Sequence, residues 1–208
     1  MSTPGSAAVL SERAARLVAV LLSVLSATAT ARAETFADAA SLKRLKAGEI
    51  LVGLESITGS DAVHAEAAIE IALPPAQLWA AMVDCTRALK YLARLKSCAI
   101  TAADPNGRWD VREHVIEWFW PLSTVRSVFR SEYAPFETNR FRRLEGNLKD
   151  LAGTWRLQAI REGRATRLHY DVRIDPGVAM PGFLLRSAIE GELRKSLAGL
   201  RKEATGRD

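Results

Sequence analysis

Apolar and polar residues alternate without a break from Ala65 to Leu73. Ala65, Ala67, Ile69, Ile71 and Leu73 face one way, and Glu66 and Glu70 face the other. A two-residue period of this kind predicts a strand with one wet face. Pro74-Pro75 ends it and suits the first turn of a helix whose inner side is Leu78, Trp79, Met82 and Val83. A second short helix, from about Arg87 to Leu95, carries Leu92 and Leu95 inward. Six strands follow, divided at Asp104-Pro105-Asn106-Gly107, Trp120-Pro121, Ala134-Pro135, Gly146-Asn147 and Arg161-Glu162-Gly163. Beyond Pro181 the period becomes helical and runs to Ala204. Leu185, Ile189, Leu193, Leu197 and Leu200 share one face there, with Arg186, Glu190, Arg194, Lys195, Arg201 and Lys202 around the rest. Upstream, residues 36–47 read as a helix ended by Gly48, and residues 49–52 as extended chain. This order predicts an α+β domain: a curved antiparallel sheet of about seven strands wrapped around a long C-terminal helix.

Charge pairing predicts the strand registers, because like charges are disfavoured directly opposite one another. An even-length turn at Trp120-Pro121 sets Glu117 against Arg126, Val115 against Val128 and Glu113 against Arg130. The other face then holds Arg112, His114, Ile116 and Trp118 against Ser131, Phe129, Ser127 and Val125. A two-residue Glu162-Gly163 turn sets Leu157 against Leu168, Trp155 against Tyr170 and Gly153 against Val172. The outward pairs Thr154/Asp171, Arg156/His169 and Gln158/Arg167 are then polar. Pairing Glu132 with Arg142 turns Phe141 and Arg143 inward.

The inner face is therefore aromatic and aliphatic with a few polar groups: Arg112, His114, Ser127, Ser131, Arg143 and Tyr170. Two readings stay open. One is a solid core whose polar members sit at the rim. The other is a largely apolar cavity between sheet and helix, with polar groups that orient a ligand; isolated Arg and His side chains are costly in a dry core. On the second reading the wall comprises Arg112, His114, Ile116, Trp118, Phe129, Phe141, Trp155, Leu157, Tyr170 and Val172, closed from the helix by Leu185 and Ile189. A side chain added at Gly153 would project into that space.

The N-terminus changes the picture of location. Arg13 and Arg16 precede an apolar stretch from Leu17 to Ala27, and Ala31-Arg32-Ala33 offers small residues ahead of Glu34. Residues 1–33 thus read as a cleaved signal peptide and imply a periplasmic protein. The rival reading, a membrane anchor, has too short an apolar run for a span of about 20 residues. Residues 34–60 form a lead-in, and residues 61–208 the main domain. Without Arg13, Arg16, Arg32 and Glu12, the 29 basic and 24 acidic residues become 26 and 23. That small excess argues against a nucleic-acid partner. Export also bears on Cys85 and Cys98, thirteen positions apart around a short helical stretch, which are expected to form a disulfide. Two cysteines with no nearby histidine do not suit a structural zinc, so no metal and no cofactor is expected. No P-loop, dinucleotide-binding glycine turn, His-Glu-x-x-His or Gly-x-Ser-x-Gly pattern occurs.

Taken together, these segments resemble the START-like helix-grip superfamily, which includes polyketide cyclases/aromatases, coenzyme-Q-binding proteins and lipid-transfer domains. The likeness lies in order and spacing over about 63–204. It is carried by Ala68-Ile69-Glu70-Ile71, Pro74-Pro75-Ala76-Gln77-Leu78-Trp79, Asp84, Gly153-Thr154-Trp155-Arg156-Leu157, the Thr166–Ile174 strand with its Asp175-Pro176 break, and Pro181-Gly182. Leu42 to Val52 is similar to the lead-in of exported bacterial members. The resemblance implies a deep cavity for a sterol, lipid, quinone or polyketide, and binding or transfer of a hydrophobic small molecule or lipid more than catalysis. Transient contact with a membrane surface is compatible with it, and the oligomeric state is left open. The alternatives are a cyclase- or hydrolase-like enzyme, with His114 as acid or base and Arg112 or Arg143 stabilising an oxyanion, and an envelope interaction module without a ligand.

Overall fold

In the computed structural model of the chain, which describes residues 35–118, 124–178 and 180–206, each turn signal within those ranges separates two strands. The expected signal peptide, residues 1–33, and the Trp120-Pro121 turn signal lie outside the described residues. The helices are α1 (Ala39–Lys46), α2 (Pro75–Val83), α3 (Cys85–Tyr91) and α4 (Gly182–Thr205). The strands are β1 (Leu51–Ser56), β2 (Val63–Ile71), β3 (Leu95–Ala103), β4 (Trp109–Glu117), β5 (Thr124–Ala134), β6 (Thr138–Gly146), β7 (Asp150–Ile160) and β8 (Ala165–Asp175). They form one antiparallel sheet in the order β1-β2-β8-β7-β6-β5-β4-β3. Six consecutive strands run as a meander, and α2 and α3 carry the chain from β2 to the far edge, where β3 begins. The eighth strand is β1: the extended lead-in pairs along the free edge of β2, with Leu51 opposite Ala68.

The expected wet face of β2 is covered over its second half. Ala68 is fully buried against Leu45 of α1 and Leu51, and Glu70 is buried between Arg161 (2.9 Å) and Arg167 (2.8 Å). Alternation within β2 could not reveal that a helix well upstream in the chain lies across its outer side. That helix forms as its pattern suggested: Asp38 caps it by accepting from the Ala40 and Ser41 N–H groups, and Gly48 leaves it at φ 88°. The second short helix starts and stops earlier than expected, at Cys85 and Tyr91, because Asp84 caps it through the Thr86 and Arg87 N–H groups.

Register follows the expected pattern in β7–β8 and shifts by two residues elsewhere. Leu157 pairs with Leu168, Trp155 with Tyr170 and Gly153 with Val172, as predicted. The connecting loop, however, spans residues 161–164, with Arg161, Glu162 and Gly163 all at positive φ. In β4–β5, Val115 faces Arg126 and His114 faces Ser127, so Glu117 is not opposite Arg126. In β5–β6, Glu132 faces Arg140 and not Arg142. The physical reason is reach. Arg126 bonds Glu113 (2.6 Å) and Glu145 (2.7 Å) on diagonals, so long side chains satisfy charge pairing without direct opposition. A slip of two keeps every side chain on its face. Arg112, His114, Ile116, Phe129, Phe141 and Arg143 stay on the inner side as expected.

Helix α4 lies across this inner side. Leu197 and Leu200 pack with Ile69, Ile71, Leu78 and Trp79, while Leu185 and Ile189 pack with Val63, Ala65, Phe141 and Val172. Leu193 of the expected apolar face is only partly buried. Gly199 sets the closest approach: a Cβ there would stand 2.9 Å from the Tyr91 carbonyl oxygen, so only glycine lets α4 seat against the end of α3. The Ser196 hydroxyl accepts from the Ala93 N–H, and Arg87 reaches Glu203 at 3.2 Å across the same contact. A disulfide joins Cys85, the first residue of α3, to Cys98 on β3, with Cα atoms 5.4 Å apart. It fastens α3 to the sheet edge farthest from β1. Opening a loop of this length releases about 3 kcal/mol of chain-entropy restraint on the unfolded state. A Cys85→Ser/Cys98→Ser variant is therefore expected to lose about that much in urea denaturation, and reduction of the native protein should match it.

Candidate functional site

The meander curves away from α4 on the β4–β6 side, and a cavity of about 220 Å³ remains there between sheet and helices. Eight of the expected wall residues line it: Arg112, His114, Ile116, Trp118, Phe129, Phe141, Trp155 and Tyr170. Leu157, Val172, Leu185 and Ile189 do not. Leu157 packs with Leu197 and Leu200, while the other three close up with Val63 and Ala65. The helix fills the space over β2 and β8 completely, so its N-terminal half meets core and only Leu200 reaches the cavity. Ala88, Tyr91 and Leu92 of the α3 segment form the opposite wall together with Met82 of α2. No pattern within those short helices distinguishes a cavity wall from core. Leu148, Leu151 and Ile174 also line the space, as does Asn139, which shares its strand face with Phe141.

The wall is an aromatic row. Trp155 stacks on Tyr170 at 3.8 Å between ring centroids, Phe141 follows at 6.1 Å from Tyr170, Phe129 at 5.9 Å from Phe141, and His114 edge-on at 4.8 Å from Phe129. Gly153 belongs to this row's support and not to the space, which corrects the expectation placed on it. A Cβ at Gly153 would collide with the Asp171 carbonyl and the Phe141 ring. Its lack of a side chain is what lets Phe141 lie flat on the sheet.

The polar groups divide into a closed set and an open set. Arg112 is closed. Its Nε donates to both oxygens of Asp110 at 3.0 Å; its Nη2 reaches Asp110 at 2.7 Å, the Val83 carbonyl at 2.7 Å and the Tyr133 hydroxyl at 2.9 Å. Tyr133 in turn donates to Asp110 at 2.8 Å. Arg112 and Asp110 are 6% and 5% exposed, so the pair is a desolvated ion pair with its remaining hydrogen-bonding capacity met by neighbours. Burial opposes the guanidinium charge, but the Asp110 bonds outweigh it and keep Arg112 above its ordinary pKa. Arg112 borders the cavity but is not the isolated charge expected, because its partner Asp110 sits two residues away on the same strand face.

The open set is His114, Ser127 and Asn139. His114 Nε2, Ser127 Oγ and Asn139 Oδ1 are buried atoms on the cavity wall with no hydrogen-bond partner among the described residues, and Ser127 is 2% exposed. Buried polar groups are otherwise almost always bonded. Ser127 faces His114 across β4–β5, yet their side chains make no hydrogen bond, so they form no nucleophile–base pair. Burial, and after it the Arg112 charge, brings the His114 pKa down to about 4 against a weaker upward pull from Asp110. His114 is neutral at pH 7. Burial pushes the Tyr91 phenol up to about 12 and raises Tyr170 further, which keeps both rings uncharged. Among the described residues, no cluster of three metal-ligating side chains lies on this wall.

The depressed His114 pKa has a signed consequence. Between about 6.5 and 4 the unfolded chain takes up a proton at His114 that the folded chain refuses. Stability is therefore lost as pH falls through that window, by on the order of 3 kcal/mol in full. A His114→Gln variant removes this contribution. Its stability relative to the parent, from urea denaturation across pH 7 to 4, should rise steadily as pH falls; a flat difference would show that His114 titrates as an ordinary histidine.

Comparison with known proteins adds relatives to this geometry. The profile of a family described as polyketide cyclase / dehydrase and lipid transport matches residues 62–205. A STAR-related lipid transfer protein from Xanthomonas axonopodis superposes with a TM-score of 0.62 at 15% identity, covering 74% of this chain and 93% of that one. The Zhui aromatase/cyclase from Streptomyces sp. R1128 superposes at 0.58 and 16% identity, covering 69% and 93%. A protein from Thermus thermophilus does so at 0.55 and 23%, covering 69% and 97%. At these identities the superpositions establish a shared fold. No curated protein matches the chain.

Proposed function

The chain belongs to the polyketide cyclase / dehydrase and lipid transport family, and from that premise we propose that it binds and carries a compact hydrophobic ligand in the periplasm. The family relation accounts for hydrophobic-ligand binding, lipid transfer or cyclase-like activity in general terms. The observation that favours carriage, and a small cargo, is the cavity itself: about 220 Å³, walled by stacked aromatic rings, with unpartnered polar atoms of His114 and Ser127 on paired positions of β4 and β5 and of Asn139 farther along the wall. An engineered apolar cavity of about 150 Å³ takes benzene, and pockets for drug-sized ligands run from about 300 Å³ upward. A one- or two-ring molecule bearing a hydroxyl or carbonyl fits this volume; a two-chain lipid does not. The rings supply burial, and His114 and Ser127, paired across β4–β5, supply a donor and an acceptor for one oxygen function, while Asn139 offers a separate polar contact opposite Tyr133. Catalysis is the weaker reading, because His114 is far from the pKa that suits a base at neutral pH and lacks an orienting partner. Location rests on the signal-peptide pattern of residues 1–33 and is supported by the Cys85–Cys98 disulfide, a bond that persists in oxidising compartments.

The test is binding with tryptophan emission as the reporter, since Trp118 and Trp155 line the cavity. Two-ring aromatic alcohols such as naphthol should quench emission saturably. Ser127→Phe, which fills the space without breaking a hydrogen bond, should weaken that binding at least about tenfold and change stability by less than the roughly 1–3 kcal/mol of overpacking a solid core. If no apolar probe alters emission and Ser127→Phe destabilises by the full overpacking cost, the inner face is solid core and carriage is wrong. N-terminal sequencing of the periplasmic protein is expected to begin at Glu34. Material retained in the membrane with Arg13 and Arg16 intact would remove the location.

A further inference from the structure

On the face of the sheet opposite the cavity, β2 and β8 set two carboxylates directly against each other: Glu66 pairs with Asp171 in register. His64, two residues before Glu66 and on the same face, reaches Asp171 with Nε2 to Oδ2 at 3.0 Å. We propose that His64, Glu66 and Asp171 form a binding site for a first-row divalent cation, with zinc as its representative.

Four observations carry this. The donor atoms of the three side chains all lie within 4.8 Å of one another. Zinc holds nitrogen and oxygen donors at about 2.0–2.2 Å, which sets pairs of donors about 3–3.5 Å apart; the His64–Asp171 pair already has that spacing, and a Glu66 oxygen lies within 4.8 Å of both. Opposed like charges are unfavourable on a sheet, yet among the described residues no lysine or arginine pairs with either carboxylate. The nearest candidates on that face are engaged elsewhere, Arg173 with Asp150 and Arg167 with Glu70. Glu66 is also held from outside the cluster: the Thr35 hydroxyl donates to its Oε2 at 2.7 Å. Outer partners of this kind fix a ligand's position in metal sites. Finally, the frame is rigid and the face accessible. Ala65, Ala67 and Val172 on the reverse side are buried, while His64 and Asp171 are 15% and 28% exposed. Two donors two residues apart on one strand and a third across the neighbouring strand leave one coordination position for water. One imidazole and two carboxylates, without sulfur, suit zinc and similar divalent ions and not monovalent copper.

A His–Asp hydrogen bond alone would give the same 3.0 Å contact, so the test must separate the two. Zinc is titrated into the full chain against a chelating dye, and cobalt with its visible absorption as the readout of a low-coordinate site. The expected result is one equivalent bound with a dissociation constant below about 100 μM, an upward shift of the thermal midpoint with zinc, and at least about tenfold weaker binding in His64→Ala and in Asp171→Asn. His114→Gln, in the cavity, should bind as the parent does. Glu66→Gln gives an independent reading: it relieves the carboxylate opposition, so it should raise the metal-free thermal midpoint while removing most of the gain from zinc. Absence of saturable uptake in that range, uptake that survives His64→Ala, or uptake lost with His169→Gln and retained with His64→Ala would overturn the site.

Discussion

The seating of α4 on β2 and β8 decides what the rest of the molecule contains. The helix runs for 24 residues and buries Leu185, Ile189, Leu197 and Leu200, and removing this apolar side from water favours closing it on the sheet. It can approach closely at one end because Gly199 presents no side chain to the Tyr91 carbonyl, and at the other because Ala65 and Ala67 are small. A straight helix laid on one side of a curved sheet cannot also fill the far side of the concavity. The space over β4–β6 is therefore a consequence of geometry, left to the short helices and to whatever the cavity holds.

Polar chemistry inside this frame follows from which groups find partners within the chain. Arg112 and Asp110 are two residues apart on one strand face, so they meet wherever β4 is buried, and Tyr133 and the Val83 carbonyl complete the set. That unit ties α2 to the sheet and engages the Nε and Nη2 of Arg112 within the chain. His114, next along the same face, has no carboxylate beside it; burial and the Arg112 charge hold it neutral. On the proposed reading, recognition falls to uncharged groups on an aromatic wall: His114 and Ser127 on paired strand positions, and Asn139 farther along. The outer face shows the opposite pattern. There the Glu66–Asp171 pair is fixed by register with no lysine or arginine paired to it among the described residues, which is why it points to an ion from solution.

Much of the architecture was legible because it depends on period and on turn residues. Alternation marked the strands, proline and glycine marked their limits, and the 181–204 helix was displaced by only one residue. Faces were legible for the same reason, since a register slip of two preserves them: Phe129, Phe141, Trp155 and Tyr170 were assigned inward and line the cavity. Exact pairing was not legible where arginines could satisfy charge on a diagonal, as Arg126 does. In β7–β8, where apolar pairs of matched size oppose each other, it was.

What the sequence determined by itself is local: which segments are strands or helices, which side of each is apolar, that two cysteines flank a short helix, and that a long amphipathic helix closes the chain. Tertiary structure alone decided which apolar residues fill and which merely line. Leu157, Val172, Leu185 and Ile189 carry the same pattern as their neighbours, yet they pack solidly, while Met82, Ala88, Tyr91 and Leu92 face open space. It also decided that Gly153 supports a ring and does not border the cavity, and that α1 covers β2. Period encodes the direction of a side chain relative to its own strand or helix. Distance to the next layer depends on how a straight helix meets a curved sheet, and no single segment contains that information.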